Sequence, residues 1–321
     1  MHHHIRAALI FAITLFSLNA CASGSRFLLY FDPYSADMLS GRGIEDRQIR
    51  QMFPQDINIK IEIAESESTE DQALQDFITV AERFQPDYVY LSPAHPFTPA
   101  QTAAGFPDAQ VIREEYVGAI SGNQIRLVYE REQANYEAGA IVAQLLRDPD
   151  FLDRFGGGDR TRRAPQVGIL VALSNDKVER EVARFEEGFS RFGDPTHIKR
   201  KDVGNITDRV KARRLLDGMK EQEVAIVVLK TYVLSGFCLD YMSKEGGLAV
   251  VDESIADQAY GDTVLLMLED DFLGALAAMI EYIHRDLQTE AEPVVSAPVH
   301  LRWGEAYRPL AARFIAGVDE Q

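Results

Sequence analysis

The sequence predicts an α/β protein with mainly parallel sheets, divided into two lobes, on the strength of three observations. From Phe27 onward, short apolar runs alternate with amphipathic stretches of helical length, which is the rhythm of strands and helices that wind a parallel sheet. The runs are apolar at successive positions, as in Val167-Gly168-Ile169-Leu170-Val171, so both faces of each strand are expected to be covered. Hydrophobic residues make up 46% of the chain, and the length beyond residue 20, about 300 residues, exceeds what one core usually holds.

The elements follow in order. Phe27-Leu28-Leu29-Tyr30-Phe31 is the first strand, and Ser68-Thr69-Glu70-Asp71 reads as a capping box opening a helix that runs to about Phe84, before Pro86. Tyr88-Val89-Tyr90-Leu91 and Val167–Val171 are the next clear strands. A helix from Asp176 to Phe192 carries Val178, Val182, Phe185 and Phe189 at helical spacing and stops at Gly193. A third helix spans roughly Asn205 to Gln222, followed by strands Ala225–Leu229 and Leu248–Val251 and a helix from Asp271 to Arg285. Gly236-Phe237-Cys238-Leu239 reads as buried helix, which makes Cys238 a packing residue rather than a nucleophile. The polar, glycine-rich stretch from Arg154 to Pro165 is a surface loop. It lacks the Gly-Lys-Ser/Thr ending of a phosphate cradle and does not join a strand to the helix it opens.

At the N-terminus, Arg6 precedes an apolar run from Ala7 to Phe16 and then Ser17-Leu18-Asn19-Ala20-Cys21. That is the layout of a cleaved secretory signal over residues 1–20, shorter than the roughly 20 apolar residues that span a bilayer. Leu18-Asn19-Ala20-Cys21 resembles a bacterial lipobox, which implies acylation of Cys21 and a membrane held through lipid. His2, His3 and His4 lie in the segment that is removed.

The chain has 33 basic and 50 acidic residues, and loss of Arg6 takes the net charge from −17 to −18. So acidic a body excludes nucleic acid as a natural partner. Cys238 is the one cysteine beyond Cys21, so the folded chain has no internal disulfide. The sequence contains no Gly-x-Ser-x-Gly elbow and no His-Glu-x-x-His helix, and the histidines beyond the signal lack metal spacing. No enzyme, metal or cofactor is therefore expected.

Two stretches carry a family resemblance. Tyr129-Glu130-Arg131-Glu132-Gln133-Ala134-Asn135-Tyr136-Glu137-Ala138-Gly139-Ala140 is a strand end, an acidic turn and a helix opening with aromatic-x-Ala-Gly. The second is Val167–Leu170 with Phe185-Glu186-Glu187-Gly188-Phe189, followed by Val250-Val251-Asp252. In this order and spacing they resemble the basic membrane lipoprotein group of type 1 periplasmic binding proteins, which includes nucleoside-binding lipoproteins. The family's Asn-Asp-x-Ser-Phe loop after the first strand is absent, and Asp32-Pro33-Tyr34-Ser35 stands there instead. The resemblance implies two Rossmann-like lobes joined by three crossovers, the first comprising about 21–125 with 268–290 and the second about 126–267 with 291–321. It also implies a ligand captured in the cleft of a substrate-binding protein that serves an ABC permease. A purine nucleoside is the first choice of ligand, with a flavin (riboflavin) or a sugar behind it.

The carboxyl ends of parallel strands are where such folds place ligands, and that rule selects Asp32, Tyr34, Ser92, Ser174, Asn175, Tyr232 and Asp252. Asp252 is suited to accept from two sugar hydroxyls, or it caps a turn. Tyr34 and Tyr232 would stack on a flat ring or pack against loops. Ser174 and Asn175 serve the ligand or cap the helix that follows, and His95 reads as an exposed loop residue. The resemblance implies a lysine near Glu269-Asp270-Asp271, where this chain is acidic. These acids either suit the first turn of the next helix or favour a hydroxyl-rich or cationic ligand. A sensor or protein-binding lipoprotein on the same scaffold is the alternative function.

Overall fold

The structure, a computed structural model, describes residues 24–65, 70–93, 101–102, 108–114, 123–155, 165–231, 234–252, 260–284 and 294–314. It divides into two compact units, one running to Val128 with Leu276–Val295 and the other holding Tyr129–Ala275 with the residues from Ser296. The chain thus passes between them three times. Leu268–Ala275, expected in the first lobe, lie in the second, while residues 126–128 and Val294 and Val295, expected in the second, lie in the first. The reason for the former is that the strand ending at Asp270 pairs within the second sheet.

The elements run β1 (Arg26–Phe31), α1 (Pro33–Gly41), α2 (Asp46–Met52), β2 (Asn58–Ile63), α3 (Glu70–Phe84), β3 (Tyr88–Leu91), β4 (Gln110–Glu114) and β5 (Gln124–Tyr129). They continue with α4 (Arg131–Leu145), α5 (Pro149–Phe155), β6 (Gln166–Val171), α6 (Asp176–Ser190), β7 (Ile198–Asp202), α7 (Arg209–Glu221), β8 (Val224–Lys230), α8 (Ser235–Glu245) and β9 (Leu248–Val251). The remainder is β10 (Val264–Asp270), α9 (Phe272–His284), β11 (Val294–Ala297), β12 (Val299–Trp303) and α10 (Ala311–Phe314). Two six-stranded sheets result, in the orders β11-β5-β4-β3-β1-β2 and β12-β10-β9-β8-β6-β7. Strands β1 to β5 pair in parallel, as do β6 to β10, and β12 closes the second sheet antiparallel to β10. Each lobe therefore repeats one doubly-wound order, in which the first strand lies between the second and third. Strand order reverses beside it, and the carboxyl ends there form the switch point.

In the second lobe, both faces of the sheet are dry. Ile226, Val228, Leu248 and Val250 join Ile141, Val182 and Phe185 in one core, under α4 and α6. Val227, Leu229, Ala249 and Val251 turn to the other, under α7 and α8. Cys238 is buried there, and burial pushes its thiol up to about 12, which keeps the inert protonated form.

Helices α4 and α6 touch through backbone. A Cβ on Gly139 would overlap the carbonyl oxygen of Phe185, and one on Gly188 would overlap that of Tyr136. The Ala-Gly and Glu-Gly sequences that carried the family resemblance are thus reciprocal notches, each admitting the other helix where any side chain would hold it off.

The start of α7 differs from the sequence reading for a local reason, whereas α3 ends where expected. Asp208 caps α7, accepting from Lys211 N at 2.9 Å, while Asn205 forms its own turn with Thr207 N at 2.8 Å, so the helix begins later than Asn205. α3 stops at Phe84 because Gln85 takes a left-handed φ of 51° ahead of Pro86. The capping box at Ser68-Thr69 and most of the glycine-rich loop, 156–164, lie outside the described residues.

Candidate functional site

At the carboxyl end of β1, Asp32 is 3% exposed and caps α1. Its Oδ1 accepts from Ser35 N at 2.9 Å, and its Oδ2 accepts from Ser35 Oγ at 2.7 Å and from Ser92 Oγ at 2.6 Å. In return, Asp32 N donates to Ser92 Oγ at 2.7 Å. Ser92 follows β3, so the two strand ends that flank the first lobe's switch point are tied by one carboxylate and one hydroxyl. The strand-end rule placed Asp32 and Ser92 separately, and the fold brings them together. Tyr34 lies in α1, with its side chain outside the described part, and Tyr232, His95, Cys21 and the signal at 1–20 also lie outside the described residues.

The second lobe's strand ends carry charge. Ile226, Val228 and Lys230 alternate onto one face of β8, as Leu248, Val250 and Asp252 do off β9, and Leu229 pairs with Val251 in register. Lys230 and Asp252 therefore extend the apolar face under α4 and α6, where each helix supplies a polar partner. Lys230 Nζ donates to Asp252 Oδ1 at 2.5 Å, to Asn135 Oδ1 of α4 at 2.7 Å and to Glu181 Oε2 of α6 at 3.1 Å. Three acceptors match the three N–H donors of an ammonium, and Lys230 is only 1% exposed. Next to it, Arg131 at the start of α4 pairs with Asp270 at the end of β10 through Nε, at 3.0 Å, and Nη2.

Electrostatics separates the two carboxylates on Lys230. Burial pushes Glu181 up, but Lys230, Arg131 and Lys177 together outweigh it and hold the group below the ordinary glutamate range. Burial pushes Asp252 above the ordinary aspartate range, with the negative charge of Glu181 adding to it against the pull of Lys230. Among the described residues, Glu181 Oε1 accepts no hydrogen bond, and Lys177 Nζ approaches it at 3.8 Å.

The other expected residues serve local structure. Asn175 caps α6, accepting from Val178 N at 3.0 Å, and Ser174 donates to Glu179; both are exposed. Of the acidic triplet, Glu269 pairs with Arg302, Asp270 with Arg131, and Asp271 accepts from Gly274 N at 2.8 Å at the start of α9. Its Oδ2 also lies 3.1 Å from His300 Nε2. The cation that meets this triplet's Asp270 is Arg131 of α4.

Lys230, Asn135, Glu181 and Arg131 were not among the residues selected from sequence, and Asp270 entered only as part of the acidic triplet. Lys230 ends an apolar run, and Glu181 falls on the stripe of Val178, Val182 and Phe185, so a charge on an otherwise apolar face was the available signal. A separate cavity of about 560 Å³ opens at the other ends of α4 and α6, lined by Leu146, Arg147, Phe189, Phe192, Asp194 and His197. None of the residues selected from sequence lines it.

No protein-family model and no curated protein matches the chain. Solved structures do. A transcriptional activator of the comK gene from Bacillus halodurans aligns with TM-score 0.64 and 15% identity over 92% of this chain and 95% of its own. A sugar-binding protein of a sugar ABC transporter, also from Bacillus halodurans, gives TM-score 0.62 and 12% identity over 88% and 98%. A solute-binding protein of an ABC transporter system from Aeropyrum pernix gives 0.60 and 10% over 92% and 82%. With its twice-repeated strand order and three crossovers, the chain has the type 1 periplasmic binding protein fold.

Proposed function

We propose that the chain is the substrate-binding protein of an ABC-type importer, anchored outside the inner membrane through lipid on Cys21. Its ligand is a neutral, hydroxyl-rich solute, with a purine nucleoside as first choice and a sugar or riboflavin next. The observation that carries this reading is the acidic acceptor at the strand ends of each lobe, Asp32 with Ser92 in one and Asp252 in the other. Carboxylates accept from sugar hydroxyls, and strand carboxyl ends are where doubly-wound folds hold ligands. The sugar-transport proteins among the similar structures support the same class of ligand.

The test is calorimetric titration of acyl-free protein beginning after Cys21 with adenosine, guanosine, inosine, riboflavin, ribose and galactose, following unfolding and refolding to strip carried-over ligand. Saturable heat with at least one probe, reduced at least tenfold in affinity by Asp252→Asn, is the expected result, since a hydrogen bond to a charged group contributes about 1.5–3 kcal/mol. Silence with all six would sink the reading and favour a protein-binding role.

A further inference from the structure

The ammonium of Lys230 is the charge one would first offer to an anionic ligand at the second lobe's strand ends, yet its three N–H donors already go to Asn135, Glu181 and Asp252. The neighbouring cation, Arg131, is likewise turned onto Asp270. Capacity remains on the acceptor side. Asp252 has a second carboxylate oxygen, Oδ2, and keeps a tenth of its side-chain surface exposed. Glu181 Oε1 is buried and accepts no hydrogen bond among the described residues. Three carboxylates, on Glu181, Asp252 and Asp270, face Lys230, Arg131 and Lys177, the last 3.8 Å from Glu181 Oε1, so the cluster is formally balanced and carries no excess positive charge for an anion.

Resting on the substrate-binding reading above, we propose that Lys230 is the positioning residue of the second lobe. By spending its own donors inside the protein it fixes Asp252 as an acceptor, so this corner selects a ligand group that donates, a sugar hydroxyl, over the same ligand lacking it. Lys230 acts through Asp252 and does not touch the ligand. An asparagine, a glutamate and an aspartate from three different elements converge on it, and a lysine needed only for charge balance would be served by either carboxylate alone.

The experiment compares adenosine with 2′-deoxyadenosine, and ribose with 2-deoxyribose, by calorimetry on the chain from Cys21 onward without acylation. Wild-type protein is expected to prefer the hydroxylated member of a pair by about tenfold or more. Lys230→Met combined with Glu181→Gln removes one charge of each sign, so the corner stays balanced, and it is expected to bring that ratio within about threefold. Asn135→Ala, which leaves every charge in place, should lower the ratio part of the way and covers the case in which the double variant does not fold. A purely structural role would weaken both members of a pair equally and leave the ratio unchanged. A wild-type ratio retained in a folded variant, or wild-type binding that ignores the hydroxyl, overturns the Lys230 proposal while solute binding stands. Wild-type protein that binds none of these four, nor guanosine, inosine, riboflavin or galactose, removes the substrate-binding reading itself.

Discussion

The two lobes share one strand order but gather polar groups at different strand ends and with different chemistry. At the first switch point, Asp32 and Ser92 join the ends of β1 and β3 with short-range hydrogen bonds, three of them from hydroxyl or amide to a single carboxylate. In the second lobe, a lysine, an arginine and three acids from β8, β9, β10, α4 and α6 assemble in a buried network. The residues at each set of strand ends decide whether they form a hook of hydrogen bonds on one carboxylate or an ionic lattice.

The comparison is broken most sharply by Lys230→Met. Removing one member of a buried ion pair leaves uncompensated charge and costs about 3–5 kcal/mol. Trp303, the chain's single tryptophan, sits buried in the second lobe's core, so its fluorescence during urea denaturation reports this loss. An unchanged midpoint would show the network to be energetically idle.

Acid sharpens the same contrast. The contribution of Glu181, whose folded-state pKa is depressed, is present above the ordinary glutamate value of about 4.3 and is lost as pH falls through its lower folded value. Asp252 is raised, so its burial opposes folding above its folded value, and its protonation on acidification relieves that cost. Carboxyl carbon NMR should therefore find Asp252 titrating above, and Glu181 below, the ordinary value of its own type. Ligand binding should weaken as Asp252 protonates, and Trp303-monitored stability should lose the Glu181 contribution as pH falls through that group's depressed value.

A smaller effect is expected from Gly139→Ala, whose methyl meets the Phe185 carbonyl and forces α4 from α6. Overpacking of this kind costs about 1–3 kcal/mol, and a backbone obstacle places it near 3. Ser92→Ala in the first lobe takes one donor from Asp32 and one acceptor from its amide, for about 1–3 kcal/mol. Hydrogen exchange along β1 measures it. If Ser92→Ala proved costlier than Lys230→Met, the ranking of hook and lattice would be inverted.

The apolar strands were legible because β1, β3, β6, β8 and β9 are covered on both faces, which writes an unbroken hydrophobic run. Edge strands gave no such run. β2 (Asn-Ile-Lys-Ile-Glu-Ile) and β7 (Ile-Lys-Arg-Lys-Asp) lie at the ends of their sheets, where charged side chains are tolerated and blunt pairing with other chains. Asp252 was visible as an acid closing a strand. Its partners were not, because Lys230 meets Asn135, Glu181 and Asp252 across separations of 95, 49 and 22 residues, and nothing local marks such a meeting. Asn175 was more readable, since a cap acts three residues from itself.

The paired notches at Gly139 and Gly188 have a mechanical consequence. Helices separated by side chains can slide by letting rotamers adjust, whereas helices in backbone contact have no such compliance. Asn135 lies one turn before Gly139 on α4, and Glu181 two turns before Gly188 on α6. The distance between these two partners of Lys230 is thus set by main chain rather than by side-chain packing, and any displacement of this lobe carries the ionic lattice with it as a solid piece.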